Sequence, residues 1–320
     1  ARSSAASDVY KRQNMVYAGD NESAPSVGEF TVPGDLLVEG TNTIAVQVHN
    51  TNATSSDVFM QLTELIVVGA DAPVVVSDVV LTVGSDQTQR NLTFYTDREV
   101  AGQVQVAPAA AREGDTFPVE AATVLDATTT PTHDGRFSHK ATLTGLEEET
   151  AYLYRVGNDE MGWSRSYETW TGTYDDTYSY VLVGDIQIGA SGSWQGDRDR
   201  WALASQTFAE KEPDASMILS VGDQVESHRA EHEYASLFAP PVMQELPFVP
   251  TIGNHDNQST AYDTHFFTPN RSTEHGYEPQ EGRAGGDYWY IYNDVLYLNL
   301  NSNARSEGEQ DHIEFMENCL

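Results

Sequence analysis

The chain has 320 residues, with 49 acidic and 17 basic side chains, and its formal net charge is −32. So acidic a composition excludes nucleic-acid binding through a basic surface, because contacts to phosphates need Lys and Arg. It suits a saline habitat and an acidic secreted protein equally well. No run of about 18 apolar residues is present, so we expect no membrane span. The single cysteine cannot form an intrachain disulfide, and the length allows two to three domains.

The first 70 residues divide into two segments. No signal peptide is visible in residues 1–13, because this segment has no apolar core. Its sequence also continues none of the patterns of the following residues, so we predict a non-native leader. From Thr41 to His49, apolar and polar residues alternate as in a half-buried strand. Residues 14–70 resemble the latter part of a jelly-roll module of the carbohydrate-binding type. The resemblance implies a partial β-sandwich with a carbohydrate or cell-surface contact.

Residues 72–173 show several short strands separated by turn residues, which predicts an all-β sandwich. Leu146 and the segment from Tyr152 to Val156 resemble the tyrosine-corner region of a fibronectin type III domain. This resemblance implies that Tyr152 and Tyr154 pack in the core and at the corner, rather than form a platform for a sugar.

Residues 177–320 show the pattern of an α/β domain, in which three apolar strands each end in a glycine that precedes Asp or Asn. These polar residues are Asp185, Asp223 and Asn254, and their spacing leaves room for crossover helices between parallel strands. In open α/β sheets, ligands bind at the carboxyl ends of the strands. We therefore expect the three side chains to meet at one edge of a sheet. The preceding glycines are expected to let the backbone turn sharply there.

Asp and Asn are hard oxygen ligands, since a carboxylate can bridge two cations and an amide carbonyl binds one without adding charge. His255, next to Asn254, adds a group that titrates near neutral pH. Such a set suits metal-assisted hydrolysis of a phosphate ester, with two cations roughly 3.5–4 Å apart. A single Gly-Asp after a strand is usually a turn or a helix cap. Three such segments in this order favour a metal site.

The other patterns in this half predict regular elements between and after the motifs. Helices are expected over residues 196–211, 230–238 and 308–318, and a hairpin is expected to turn at Asn293 and Asp294.

The three motifs, together with residues 285–290 and 298–303, resemble those of the calcineurin-like metallophosphoesterases. The similarity covers residues 72–320 and is strongest to bacterial purple-acid-phosphatase-like enzymes that carry a fibronectin-type domain in front. It implies a multidomain fold with an α/β metallophosphoesterase domain. It also implies hydrolysis of phosphomonoesters or phosphodiesters by a metal-bound hydroxide at a dinuclear site of Fe, Mn or Zn.

The resemblance also implies roles for individual residues. Asp185 would bind the first metal, Asp223 would bridge both metals, and Asn254 would bind the second metal. His255 would contact the phosphate or protonate the leaving group.

Two positions depart from the family pattern. Many relatives place a His ligand two residues after the first Asp, where this chain has Gln187, and a neutral amide is the weaker ligand. We therefore expect Gln187 to support the ligands from outside the metal site. Purple acid phosphatases place a Tyr three residues after the second Asp, where this chain has Glu226. Glu226 is either a hard ligand or a residue at the start of a helix, and Asp256 has a supporting role that the sequence does not define.

The family completes its site with downstream histidines in a Val-x-x-His-like segment and a Gly-His-x-His segment, and this chain stops at Leu320 before either would appear. The resemblance therefore implies a fragment truncated at both ends, which lacks about half of its metal ligands and is inactive or very weak. His312 lies in a helical pattern rather than after a strand. His228, His232, His265 and His275 occupy places where relatives have no ligand, so we expect them to be structural.

Two functions stay open on the sequence alone. The leading one is an extracellular or cell-surface bacterial hydrolase of small phosphate esters, similar to an acid phosphatase. The alternative is an adhesion or carbohydrate-binding protein with a degenerate phosphoesterase-like domain. Gln187 and Glu226 favour the alternative, whereas the intact Asn254-His255-Asp256 segment favours the enzyme.

Overall fold

The computed structural model describes residues 73–175, 177–277, 282–304 and 308–320. The predicted leader and the predicted jelly-roll-like segment lie outside these residues. Within the part of the chain that is described, no helix is long and apolar enough to cross a lipid bilayer.

The first half of the described chain is rich in β-structure, as the sequence predicts. Its strands are β1 (Val76–Val83), β2 (Arg90–Thr96), β3 (Gln103–Pro108), β4 (Thr123–Asp126), β5 (Thr128–Pro131), β6 (Phe137–Leu143), β7 (Ala151–Asn158), β8 (Gly162–Trp163) and β9 (Tyr167–Trp170). One sheet contains β1, β2, β6 and β5 in that order, and the other contains β4, β3, β7 and β8, with β9 also paired to β7. Apolar side chains from both sheets, among them Leu92, Phe94, Val104 and Tyr154, form one core.

Strand β2 is buried along its whole length, because each of its faces packs against a different part of the chain. Leu92 faces the sandwich core. Asn91 and Tyr95 are out of phase with it and contact the second half of the chain. The Asn91 Nδ2 donates to the carbonyl of Phe267 at 3.0 Å, and the Tyr95 hydroxyl donates to Oγ1 of Thr264 at 2.8 Å. Since side chains alternate between the two faces of a strand, β2 serves two cores.

Tyr152 and Tyr154 are both buried packing residues, as the sequence implies. The Tyr152 hydroxyl accepts a hydrogen bond of 2.8 Å from the backbone N–H of Glu147, at the corner before β7. The Tyr154 hydroxyl donates to the carbonyl of Gln244 at 2.6 Å. Tyr154 therefore stabilises the sandwich and also ties it to the second half of the chain.

The second half of the described chain alternates strands and helices. Its elements are β10 (Ser179–Val183), α1 (Trp194–Lys211), β11 (Ala215–Ser220), α2 (Glu231–Phe238), α3 (Val242–Glu245), β12 (Phe248–Pro250), α4 (Ala261–His265), β13 (Tyr288–Tyr292), β14 (Val295–Asn299) and α5 (Gly308–Cys319).

The ends of these elements follow from local chemistry. Helix α1 begins slightly before its predicted start, because Ser193 caps it by accepting a hydrogen bond of 3.2 Å from the N–H of Gly196. The hairpin of β13 and β14 turns at Asn293 and Asp294, as predicted. Their φ angles of 47° and 61° match the left-handed pair that a two-residue hairpin turn requires.

A single seven-stranded sheet runs through both halves, in the order β10-β11-β12-β1-β2-β6-β5. The halves are joined by the parallel pairing of β1 with β12, in which Thr82 lies opposite Phe248. Along β1, Val79 and Leu81 pack in the sandwich core, whereas Val80 packs in the α/β core. The two predicted domains are therefore held together by a shared sheet as well as by the chain that links them.

A charged cluster centred on Arg136 also spans the two halves. The guanidinium of Arg136 lies 2.6 Å from the carboxylate of Asp134 and 2.5 Å from that of Glu231 in α2. It also pairs with Asp78 and lies 4.6 Å above the ring of Tyr95. The Asp78 side chain is only 4% exposed, so its charge needs this arginine for compensation.

Candidate metal centre

Strands β10, β11 and β12 end level with one another, because Val183 pairs with Ser220 and Ser220 pairs with Pro250. The three predicted ligands directly follow these level ends. They are Asp185 after β10, Asp223 after β11 and Asn254 after β12. The structure thus brings the predicted ligands to one edge of three neighbouring parallel strands.

The loops after β10 and β11 are joined by backbone hydrogen bonds, and three of their residues have strained backbone conformations. The N–H of Gln187 donates to the carbonyl of Asp223 at 2.9 Å, and Ile188 and Val225 form a parallel bridge. Asp185, Gln187 and Asp223 have φ angles of 48°, 41° and 50°. This left-handed conformation costs a non-glycine residue roughly 1–2 kcal/mol. Strained backbone that the surroundings hold in place is typical of binding and catalytic sites.

The glycines before the three ligands differ from one another. Gly222 has a φ of 118°, which only glycine adopts easily. Gly184 and Gly253 lie outside the left-handed region. Close packing explains them, because a Cβ would lie 2.8 Å from Cγ2 of Val221 and 2.1 Å from Oδ1 of Asp223, respectively. The prediction that all three glycines supply a sharp turn is therefore wrong for two of them.

The predicted oxygen donors are available to a cation. Asp185 and Asn254 are exposed, and their side chains form no hydrogen bond with other described residues. The Oδ1 of Asp223 accepts a hydrogen bond of 3.0 Å from the N–H of His255, and its other oxygen has no partner in the described ranges. Two carboxylates and an amide with free oxygens suit a hard or borderline metal ion. The donor set therefore fits the metal that the sequence predicts.

Asp256 is fully buried and holds two of the loops together. Its Oδ1 accepts from the N–H of Gln224 at 3.0 Å, and its Oδ2 accepts from the N–H of Gly253 at 2.8 Å. Burial raises the pKa of Asp256 to about 7, and these backbone hydrogen bonds oppose that rise. Both carboxylate oxygens are thus committed to the scaffold. Sequence reasoning missed Gln224, which is fully buried and whose Nε2 donates to the carbonyl of Thr251 at 2.9 Å.

The ring of His255 is held by Glu226. Its Nδ1 lies 2.9 Å from the Glu226 carbonyl and 3.6 Å from the Glu226 carboxylate. The hydrogen bond to the carbonyl raises the pKa of His255, burial opposes this, and the negative charges of Glu226 and Asp223 add to the rise. Glu226 is not a helix-start residue, because α2 begins at Glu231. Its Oε2 accepts a hydrogen bond of 2.8 Å from Nε2 of Gln187.

Two other groups in the described residues have three carboxylate or imidazole atoms within 4.8 Å of one another, and neither contains a predicted ligand. In the first, Asp78, Glu231 and His265, the carboxylates already pair with Arg136. Among the described residues, no three of Asp185, Asp223, Glu226 and His255 form a group of this kind.

The second group is Asp287, Asp311 and His312. Protein donors already occupy it, since Asp287 accepts from Nδ1 of His312 at 2.6 Å and from the N–H of Asn301 at 2.8 Å. Asp311 accepts from the N–H of Gly276 at 2.6 Å. Nothing in the sequence pattern indicated this group.

Two of the histidines that were expected to be structural pack against aromatic side chains. His265 is fully buried between the rings of Tyr95 and Tyr234, at centroid distances of 4.6 and 4.0 Å, and its Nε2 lies 2.9 Å from Glu231. His232 packs edge-on against Trp194.

Two family models match the chain. Residues 76–171 match the model of the purple acid phosphatase N-terminal domain, and residues 178–318 match the model of the calcineurin-like phosphoesterases. The two matches meet close to the start of β10.

A solved purple acid phosphatase, PPD1 from yellow lupin (Lupinus luteus) seeds, shares the fold with a TM-score of 0.55 and 18% identity. The match covers 76% of this chain and 48% of the lupin chain, so the chain spans about half the length of that enzyme. The RsgI4 anti-sigma-factor sensor domain of Pseudobacteroides cellulosolvens, in its short form, covers 32% of this chain and 99% of its own, at 12% identity and a TM-score of 0.25. A similarity this weak carries no argument about fold or function.

Proposed function

Because the chain carries a purple acid phosphatase N-terminal domain followed by a calcineurin-like phosphoesterase domain, we propose that it is a metal-dependent phosphoric ester hydrolase. One observation supports the proposal most strongly: Asp185, Asp223 and Asn254 follow the level ends of three neighbouring parallel strands, and each keeps at least one side-chain oxygen that forms no hydrogen bond with the described residues. Asp223 is buried, and a buried carboxylate with an oxygen that lacks a partner favours a bound cation.

We propose two metal ions at this edge, with Asp223 shared between them, Asp185 on the first and Asn254 on the second. When bound, such a pair neutralises phosphoryl oxygens and makes water nucleophilic near neutral pH. The donors accept iron, manganese and zinc alike. The fixed backbone of these loops, with Gln187 bonded to Asp223, keeps the ligands in place before metal or substrate arrives.

His255 is the proposed catalytic residue. Its Nδ1 is engaged by Glu226, so Nε2 is the ring nitrogen that can meet a substrate. A proton on Nε2 can pass to the departing alkoxide oxygen, a role that typically contributes about 10²–10⁴-fold. The proposed substrates are small phosphate monoesters, as for an acid phosphatase, with phosphodiesters as the second class.

We also propose an extracellular or cell-surface location and a fibronectin type III-like character for residues 72–173. The hydrogen bond from Glu147 to the Tyr152 hydroxyl supports the latter. A carbohydrate contact through residues 14–70 is proposed from the sequence alone.

Metal binding and hydrolysis test the function together. We would titrate the metal-free chain with Mn²⁺ and Zn²⁺ in a calorimeter, and assay the same samples on an aryl phosphate monoester and diester. The changes Asp223→Asn and Asp185→Asn should weaken metal binding by at least about 10-fold. Asp199→Asn, which removes an exposed carboxylate of α1, is the matched control and should bind as the wild type does.

Equal metal affinity in all four proteins would contradict the metal centre. Neither histidine segment of the family follows the Asn254 motif in this chain, so we expect hydrolysis to be weak at most and let metal binding decide between the two functions. Two tightly held metal ions per chain favour the enzyme, and their absence favours a binding protein with a degenerate phosphoesterase-like domain.

A further inference from the structure

Arg90, the first residue of β2, is a buried cation that no carboxylate among the described residues pairs with. It is only 2% exposed. Its Nη1 donates to the carbonyl of Gln87 at 3.1 Å and to that of Gln89 at 2.8 Å. Its Nε and Nη2 have no hydrogen-bond partner in the described part of the chain. Burial lowers the pKa of Arg90, which means that the charge is held in an unfavourable place.

The carboxylate whose charge acts on Arg90 is that of Asp86, and both of its oxygens are bound elsewhere. Its Oδ1 accepts from the N–H of Thr88 at 2.8 Å, and its Oδ2 accepts from Nε2 of Gln89 at 3.4 Å. By contrast Arg136, which is more exposed, pairs with three carboxylates. A buried charge without a partner is strongly destabilising. Arg90 therefore needs a negative charge that the described side chains do not supply.

The two nitrogens of Arg90 without a partner form one edge of the guanidinium. Nε–H and one N–H of Nη2 point in parallel from the same side of the planar group, whereas the carbonyls of Gln87 and Gln89 take the Nη1 side. Two parallel N–H groups of this fork are the arrangement with which arginine binds an anion. The edge that is suited to an anion is thus the edge without a protein partner.

Other buried polar atoms without a partner lie in the same region. Nine such side-chain atoms occur among the described residues, and four of them belong to Arg90, Tyr292 and Asn293. Gln87 links these residues, since its carbonyl accepts from Arg90 and its Oε1 accepts from the N–H of Asn293 at 3.3 Å. The Tyr292 hydroxyl is close enough to oppose the effect of burial on the pKa of Arg90. Buried polar atoms without a protein partner indicate a bound water or ion.

The donors distinguish between the possible occupants. A water molecule would accept hydrogen bonds from Arg90 but would leave its charge uncompensated. A phosphate has more oxygens than the N–H groups of Arg90 and the O–H of Tyr292 can satisfy. A small monovalent anion needs only these donors and also supplies the missing charge. The Oδ1 of Asn293 is an acceptor, so it is not part of such a site.

We propose that Arg90 and Tyr292 hold one buried chloride ion, where the loop before β2 meets the hairpin of β13 and β14. The site is separate from the candidate metal centre and does not depend on the proposed function. Because Arg90 belongs to the sandwich and Tyr292 to the second half of the chain, the ion would stabilise the joint between them. An ion that binds only the folded chain raises the free energy of unfolding with its concentration.

Urea titrations of the metal-free chain test the site in solution. Sodium chloride is compared with sodium gluconate, a bulky anion, at equal ionic strength, so that screening of the acidic surface is the same in both. Above the dissociation constant, each tenfold rise in chloride should lower the unfolding equilibrium constant about tenfold, with no such dependence in gluconate. Equal stability in the two salts at every concentration would overturn the proposal.

Tyr292→Phe separates a role in chloride binding from a role in folding. Its hydroxyl has no partner among the described residues, so the variant should be as stable as the wild type in gluconate. It should need roughly 10-fold more chloride for the same stabilisation, because one hydrogen bond to the ion is lost. The control is Tyr288→Phe in the same strand, whose hydroxyl donates to the carbonyl of Pro250 at 2.8 Å. The control should lose the same stability in both salts, and the same behaviour in Tyr292→Phe would overturn the proposal.

Arg90→Met should abolish the difference between the two salts, whereas Arg112→Met, at an exposed arginine of the same half, should keep it. If Arg90→Met does not fold, Tyr292→Phe and a crystallographic measurement still decide. Crystals grown in sodium bromide should show an anomalous peak in contact with Nε and Nη2 of Arg90 and the hydroxyl of Tyr292. A water molecule without anomalous signal at this place, or no density there, would overturn the proposal.

Discussion

Thr82 lies opposite Phe248 in a parallel pairing that joins the sheet of the N-terminal sandwich to the sheet that carries the candidate metal centre. Strand β12 therefore has β11 on one side and the sandwich strand β1 on the other. Asn254 and His255 follow β12, so the sandwich supports one of the three loops of the centre. We expect the N-terminal domain to be needed for a stable centre.

Substitution of Arg136 tests whether the charged cluster holds the two halves of the described chain together. Arg136→Met removes the cation beside Asp78, whose side chain is 4% exposed, and leaves Glu231 with histidines alone as partners. Breaking such a buried pair should lower the free energy of unfolding by about 2–4 kcal/mol in urea titrations. Arg200→Met is the control, because Arg200 is 73% exposed and its ion pair among the described residues is with Asp197 on α1, and it should cost less than about 1 kcal/mol. Equal effects would mean that the cluster does not hold the halves together.

His139 should make stability depend on pH. Its ring is buried, stacks on Phe94 and lies within hydrogen-bond distance of Thr96 and Thr129, and burial lowers its pKa from 6.5 to about 4. Below pH 6.5 His139 is protonated in the unfolded chain but stays neutral in the folded chain. The free energy of unfolding therefore decreases as the pH falls from 6.5 to about 4. Each unit of pKa shift corresponds to about 1.4 kcal/mol.

The measurement is the urea midpoint at several pH values for the wild type and for His139→Gln, which can still bond the threonines. The wild type should lose more stability than the variant over this window. Parallel curves would contradict the prediction.

Gly253→Ala should damage the metal centre through packing alone. A Cβ there would lie 2.1 Å from Oδ1 of Asp223, so the loop after β11 must move. We expect at least about 10-fold weaker manganese binding in calorimetry. In Gly172→Ala the new Cβ would lie 3.7 Å from Oγ of Ser216, an ordinary contact, and binding should be unchanged. Wild-type affinity in Gly253→Ala would show that Asp223 is not a ligand.

The ferric form should lack the intense visible band that a tyrosinate ligand produces. Glu226 stands where purple acid phosphatases place the tyrosine. Tyr234 and Tyr262 are buried, and burial raises the pKa of both well above the usual value. The Tyr262 hydroxyl donates to the carbonyl of Pro250 at 2.8 Å. Absorption spectra of the iron-loaded protein check this, and a purple colour would mean that a tyrosine reaches the iron.

The sequence predicted most of what is local. An apolar strand, a glycine and a polar ligand are neighbours in the chain, so the local pattern alone was enough to place Asp185, Asp223 and Asn254 at strand ends. The hairpin at Asn293 and Asp294 was predictable for the same reason, since these residues tolerate the φ angles that the turn needs.

Contacts between distant segments were not predictable. Val79, Val80 and Leu81 form one apolar run in the sequence, and only the fold divides them between two cores. The side-chain hydrogen bond from Gln187 to Glu226 depends on the relative register of two loops, which no local sequence pattern specifies. The glycine prediction failed because the left-handed φ falls on Asp185 itself, and close packing rather than freedom of rotation requires Gly184.

The most direct test is anomalous diffraction from crystals of the chain grown with Mn²⁺. The proposed function predicts two manganese peaks that share the Asp223 carboxylate, with Asp185 on the first and Asn254 on the second. Peaks at Asp287, Asp311 and His312 instead, or no peak beside Asp223 at saturating manganese, would contradict the proposed metal centre.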